Sequence, residues 1–356
     1  MQHIRTPLTT LLKCRVPLFG ASMAGPAGGA LAAAVSKAGG LGFIGIGAPN
    51  HEFIDSQLAI ARDALGSTSS ARIPIGVGFL GWHLDAAANG DAYVKKVAPQ
   101  VQVIWLSFGN DLRKWYDVAR TADDVVKIAV VVSTAAEALS AASWGADILI
   151  AQGVEAGGHG SANGVPTISL VPAVLAALEE RHGAAKPVVL AAGGIVTGAQ
   201  AAAALALGAD GFVVGTRLLA TPESINYTEA QKTAIVEANE LSTVRNMIYD
   251  EVRGTTGWPR GMKSTSTNIV LVTNHCLGVD GRGLRNKTFD DHAAGRPFDQ
   301  IKADFDVASE KKDVSRIITW SGTSVGSVKA IKPAGDVVRE LEEEILTSIN
   351  RLRSLV

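Results

Sequence analysis

AAGGIVTGAQAAAALALGADGFVVGT, residues 191–216, carries one full period of the pattern that sets the fold. A strand-sized apolar run at residues 188–191 leads into Gly193-Gly194. Thr197 is placed to cap the alanine-rich helical stretch that follows, Gly208 to close it, and a second apolar run, Gly211–Val214, ends on Gly215-Thr216. Outward from this unit the same beat recurs. Further strand-sized runs lie at residues 16–19, 41–46, 73–77, 101–106, 128–132 and 147–150, with helix-sized stretches between them, one capped by Thr134 and closed by Gly145. Eight such repeats predict an α/β protein built on a closed (β/α)8 TIM barrel, because an open doubly wound sheet usually has fewer strands. Ligand loops in such a barrel follow the C-terminal ends of the strands.

The beat stops after Thr216. Helices are predicted over residues 228–239, 298–308 and 335–353, the last with Val338, Leu341, Ile345, Ile349 and Leu352 on one face and Glu342-Glu343-Glu344 turned to solvent. Residues 1–221 are therefore assigned to the barrel, 222–319 to a small, mainly helical cap beside its mouth, and 320–356 to a return whose helix packs on the barrel. Hydrophobic residues at 47% against 19% charged exclude a disordered chain and fit a large core. A net charge of −1 with no strongly basic stretch argues against nucleic acid or an anionic membrane as partner. The uncharged segments 16–36 and 188–209 are broken by glycines into strand-then-helix patterns, so they read as buried β/α units and not as bilayer spans. Cys14 and Cys276 lack metal-type spacing, and neither end carries a targeting signal, so a cytoplasmic protein is expected. Homo-oligomerisation is left open.

Three loops carry the candidate chemistry. Gly193-Gly194-Ile195 follows the seventh strand and Gly215-Thr216 the eighth, which puts them side by side where backbone N–H groups can hold a phosphate. Arg217 either adds charge there or pairs with a carboxylate. AQGVEAGGHG, residues 151–160, follows the sixth strand and sets Gln152, Glu155, Gly157 and His159 among glycines that let a flat ligand approach. His159, with an ordinary pKa of roughly 6.5, suits a general base or a donor to an anionic substrate. Gln152 either reaches a cofactor ring or braces the loop, and Glu155 orients the loop or the histidine. Ser22, Met23 and Ala24 follow the first strand, where a methionine can pad an aromatic ring. Histidines 3, 51, 83, 182, 275 and 292 lack such a setting, and His275-Cys276 has no second ligand pair, so no metal site is expected. No G-x-G-x-x-G opens a βαβ unit and no Walker lysine appears. The reading is a phosphorylated cofactor beside a histidine. A barrel that isomerises or cleaves a sugar phosphate uses the phosphate site alone and is the alternative.

PLFGASMAGPAGGALAAAVSKAGGLGFIG at 17–45, AQGVEAGGHG at 151–160 and AAGGIVTGAQAAAALALGADGFVVGTRLLAT at 191–221, in that order, resemble the nitronate monooxygenase family, formerly called 2-nitropropane dioxygenases. The resemblance implies an FMN-bearing barrel that oxidises alkyl nitronates with dioxygen to carbonyl compounds and nitrite. It also implies residue roles: Ser22, Met23, Ala24, Gln152 and Gly157 near the flavin ring, Gly193, Gly194, Ile195, Gly215 and Thr216 at its phosphate, and His159 as the active-site histidine. The chain departs from common family residues at Gly78, where many relatives have asparagine, at Val131, where some have lysine, and in its opening Ala21-Ser22-Met23. The same motifs resemble FMN-dependent NAD(P)H enzymes, the quinone reductases and enoyl-acyl-carrier-protein reductases, and do not separate them from the monooxygenases.

Overall fold

Each of the eight apolar runs becomes a strand of one parallel sheet in the computed structural model, which describes residues 4–67, 71–259 and 278–355. The strands are β1 (Leu18–Gly20), β2 (Phe43–Ile46), β3 (Ile73–Leu80), β4 (Val101–Ser107), β5 (Lys127–Val132), β6 (Ile148–Gln152), β7 (Gly158–Ser161), β8 (Val188–Ala192), β9 (Gly211–Val214), β10 (Thr243–Asn246) and β11 (Val279–Leu284). The barrel sheet runs β1-β9-β8-β6-β5-β4-β3-β2, and a parallel bridge from Phe19 to Leu41 joins its two ends. The closed (β/α)8 architecture is therefore present.

The strands read as continuous apolar runs because both faces are covered. Ile148, Leu149 and Ile150 are each fully buried in succession. The inward face packs Phe19, Phe43, Trp105, Ile148 and Leu190 together with Leu8 and Leu12 of the short helix Pro7–Leu12. That helix floors the barrel at the strand beginnings, where Gln102 donates to the Leu12 carbonyl at 2.8 Å and Gly211 makes room for Leu8. Gly76 has to be a glycine, since a Cβ there would lie 2.1 Å from the Phe43 ring.

On the outward face, the final helix Ala334–Arg353 buries Val337, Val338, Leu341 and Ile345 against the helices Gly198–Ala206 and Gly29–Lys37. The predicted stripe outruns its support, for Ile349 is half-buried and Leu352 is 50% exposed. The solvent-facing reading of Glu342-Glu343-Glu344 holds only for Glu343. Glu342 is buried and pairs with Arg15, and Glu344 accepts from the Gly198 N–H at 2.5 Å, because an otherwise unsatisfied helix N-terminus draws a carboxylate.

The cap is less helical than its composition suggests. Helices Glu229–Glu237, Ile248–Arg253, Lys287–Ala293 and Phe298–Lys311 are present, but β10 and β11 join β7 in an antiparallel sheet of order β10-β11-β7. These strands read TVRN, VDGRGL and GHGS, polar and glycine-bearing without two-residue apolar alternation, so no strand signal marks them. The pair His275-Cys276 lies outside the described residues.

Leu341→Ala should cost about 2–5 kcal/mol in urea denaturation, whereas Leu352→Ala should cost less than about 0.5 kcal/mol. Equal losses would contradict the packing described for the last helix.

Candidate active site

A cavity of about 420 Å³ opens at the C-terminal ends of the barrel strands, beneath the cap. Its wall contains Ser22, Met23 and Ala24 after β1; Gln152, Gly157 and His159 after β6; Gly193, Gly194 and Ile195 after β8; and Gly215 and Thr216 after β9, while Glu155 and Arg217 lie outside it.

At one end the two glycine turns form a cradle of backbone donors. Gly193 (φ +106°) and Gly194 (φ +73°) take the left-handed conformation that brings the chain around without a side chain in the way. Among the described residues no protein group accepts from the N–H of Gly194, Ile195, Gly215 or Thr216. The turn is held from behind: Ser324 Oγ donates to the Gly194 carbonyl at 2.7 Å, and Gln200 Nε2 donates to Ser324 at 3.0 Å. Arg217 is spent elsewhere, on the Val196 carbonyl (2.8 Å) and Glu340 (2.5 Å), which settles its role as the carboxylate-pairing alternative. The cradle is thus uncharged and offers backbone dipoles, a donor set that fits a phosphate.

At the other end sits His159, on β7 opposite Gly281 of β11. Its side chain is 9% exposed, its Nε2 lies 2.9 Å from Asp250 Oδ2, and its ring stacks on Trp258 at 3.5 Å with Trp320 at 4.8 Å. Asp250 is fully buried, and its Oδ1 accepts from the Thr255 hydroxyl (2.7 Å) and Trp258 Nε1 (3.1 Å). Burial opposes ionisation of Asp250, but the hydrogen bonds from His159 and Thr255 and the nearby Arg253 outweigh it and hold the carboxyl below its usual range. Burial likewise pushes the His159 pKa down, against the pull of Asp250. An ionised Asp250 beside a neutral imidazole places the ring proton on Nε2 and leaves Nδ1 with the lone pair.

The intervening loop is braced by its own polar side chains. Gln152 donates to the His159 carbonyl at 2.8 Å. The Glu155 carboxylate accepts from the Thr167 N–H at 2.9 Å and so caps the next helix instead of touching the histidine. Gly157 backs onto the chain at Ser321-Gly322, where a Cβ would come within 2.5 Å of the Gly322 nitrogen. A Cβ at Gly78 would lie 2.0 Å from Ser22 Oγ, so the serine fills the space a larger residue 78 would take.

Sequence reading missed several wall residues. Tyr227, Arg253 and Trp258 come from the cap, Trp320 from the chain just after it, and His83, stacked on Trp82 at 3.6 Å, from the helix after β3, while Asp250 stands behind His159. No local signal marks Asp250 or Arg253, and their shared six-residue helix, closed by Gly254, was not predicted. The glycine-rich stretch WSGTSVGS at 320–327 brings Trp320, Gly322 and Ser324 to the cavity wall.

With this geometry established, known proteins become informative. A family model for nitronate monooxygenase matches residues 5–344. The chain belongs to the nitronate monooxygenase family. Members of that family are flavin-dependent oxidoreductases. A nitronate monooxygenase of Neurospora crassa is 35% identical over 353 residues, covering 92% of this chain and 88% of that protein. Among solved structures, FabK from Thermotoga maritima superposes with a TM-score of 0.76 at 27% identity, over 99% of this chain and 100% of that one. A nitroalkane oxidase from Streptomyces ansochromogenes gives a TM-score of 0.72 at 26% identity, over 97% and 99% of the two chains. Among the described residues no helix is long and apolar enough to cross a membrane, and no cluster of side chains has metal-binding geometry.

Since the folded state holds the His159 pKa below its unfolded value of roughly 6.5, the folded protein binds fewer protons there and loses stability as pH falls through that value. The thermal midpoint of the wild type should drop more between pH 7.5 and pH 5 than that of His159→Gln; parallel declines would refute a buried neutral imidazole.

Proposed function

We propose that this protein binds FMN in the cavity and oxidises alkyl nitronates with dioxygen to carbonyl compounds and nitrite. The observation that carries the reading is the opposition, in one cavity, of an uncharged backbone cradle suited to a phosphate and a buried Asp250–His159 pair. Gly193, Gly194, Ile195, Gly215 and Thr216 would hold the FMN phosphate, and Ser22, Met23, Ala24, Gln152 and Gly157 would border its ring. When bound, FMN supplies the electron-accepting and dioxygen-reactive chemistry of the reaction.

The protein's own part is to bind, orient and shield. Asp250 fixes the imidazole tautomer and its angle, as a second carboxylate does in other histidine sites, so His159 presents an acceptor nitrogen without searching rotamers. Trp258, Trp320, Phe108 and Trp82 line the cavity and exclude water around the substrate, which strengthens every polar contact inside. In this reading residues 1–221 hold the cofactor, 222–319 bring Asp250, Arg253 and Trp258 to the substrate, and 320–356 return Trp320 and Ser324 to the mouth. Cys14 takes no part, since burial pushes its thiol up to about 11 and keeps it unreactive in a cytoplasmic setting.

The purified protein should be yellow, and anaerobic addition of propyl-2-nitronate should bleach it while NADH and NADPH leave it oxidised. Bleaching by the nicotinamides alone would replace this reading with the reductase one. His159→Asn should keep the flavin and lower nitronate turnover by about 10²–10⁴-fold. A bulky residue at Gly194, as in Gly194→Val, should yield folded but colourless protein, because that position needs positive φ and an open cradle.

A further inference from the structure

A nitronate is an anion, and drawing it from water into a largely apolar cavity is unfavourable unless charge or several donors meet it. Among the described residues lining the cavity, a single side chain carries a permanent charge, Arg253. Among the described residues no lysine and no carboxylate lines it, the cradle is built from neutral backbone, and burial turns both lining histidines, His83 and His159, toward the neutral form.

Arg253 ends the helix Ile248–Arg253, which Gly254 (φ +70°) terminates, and its side chain is 27% exposed into the space beneath the cap. Its Nη2 donates to Thr255 Oγ1 at 3.2 Å and lies 3.9 Å from Asp250 Oδ1, while its Cζ stands 5.5 Å from the centre of the Trp320 ring. The other donors of the guanidinium fork find no protein acceptor among the described residues. Asp250 does not absorb them, because its oxygens are committed to His159, Thr255 and Trp258. The result is a fork anchored at one edge and stacked near an aromatic face, with its remaining N–H groups turned to the cavity that also holds His159.

Resting on the nitronate reading of this cavity, we propose that Arg253 is the substrate-binding residue that receives the paired oxygens of the nitronate and selects that anion over the neutral nitroalkane. A guanidinium presents two parallel N–H donors and a nitronate two coplanar oxygens, so the pair is matched in shape as well as charge. Asp250 links both ends: it bonds the imidazole directly and reaches the guanidinium through Thr255, whose hydroxyl donates to Asp250 and accepts from Arg253.

The test uses flavin-loaded wild type, Arg253→Met and Arg253→Lys at pH 8. Calorimetric titration with isobutyrate, a carboxylate of similar size and charge, reads anion binding independently of turnover, and propyl-2-nitronate and neutral 2-nitropropane are compared as substrates. Arg253→Met should weaken isobutyrate binding and raise the nitronate KM by roughly 30-fold or more with flavin content unchanged, leaving the KM for 2-nitropropane within a few-fold, and Arg253→Lys should recover part of the loss. Isobutyrate affinity and nitronate KM within threefold of wild type in Arg253→Met would overturn the assignment. So would loss of FMN with unaltered anion affinity after reconstitution, which would move the guanidinium to the cofactor phosphate. If isobutyrate binding falls as expected yet the wild type oxidises no nitronate, the anion site stands and the nitronate reading falls.

Discussion

The antiparallel pairing of β7 with β11 is the constraint on which the site depends. A barrel alone would leave the glycine-rich loop after β6 without a fixed course, since Gly158 is at positive φ and the neighbouring glycines have no side chains to pack. Setting His159 opposite Gly281 gives that loop a register, and the same pairing draws the cap over the barrel mouth. Gly281 is itself required, because a Cβ there would strike the Trp320 ring at 2.5 Å. The imidazole is then enclosed by Asp250 and Trp258 from one stretch of the chain and Trp320 from another. Ordering so much chain around one side chain is costly in conformational entropy, and the buried clusters of the cap, Ile248, Tyr249, Val252, Ile301 and Phe305, offset that cost.

Electrostatically the cavity is divided. Its cradle end has partial charges from backbone dipoles and no formal charge, since Arg217 is tied to Glu340 and does not line the cavity. Its cap end concentrates the formal charges on the buried Asp250 and the half-buried Arg253, close to each other. A site that keeps its formal cation apart from the phosphate cradle can hold a phosphorylated cofactor and a small anion without one displacing the other. The aromatic wall between them lowers the local dielectric and sharpens that separation.

The barrel was legible because each of its elements announces itself locally. Strands buried on both faces are unbroken apolar runs, and Thr134 and Thr197 cap their helices through the side-chain bonds that their positions suggested. The two glycine turns were legible too, because Gly193-Gly194 and Gly215-Thr216 stand about twenty residues apart, each just after an apolar run. The cap end was not. Asp250 and Arg253 lie in a six-residue helix with no motif, and they become a site only through contact with a histidine some ninety positions earlier. Polar, glycine-bearing strands such as VDGRGL carry no periodicity to read, and carboxylates such as Glu342 and Glu344 look solvated until the helix they pack against is in place.

The most direct measurement of the central claim is a crystal structure of the protein with its flavin and isobutyrate bound. The account predicts the FMN phosphate on the N–H groups of Gly194 and Thr216, the ring between Met23 and His159, and the carboxylate within hydrogen-bond reach of Arg253. A flavin phosphate bound away from the turns after β8 and β9, or an imidazole of His159 turned out of the cavity, would contradict it.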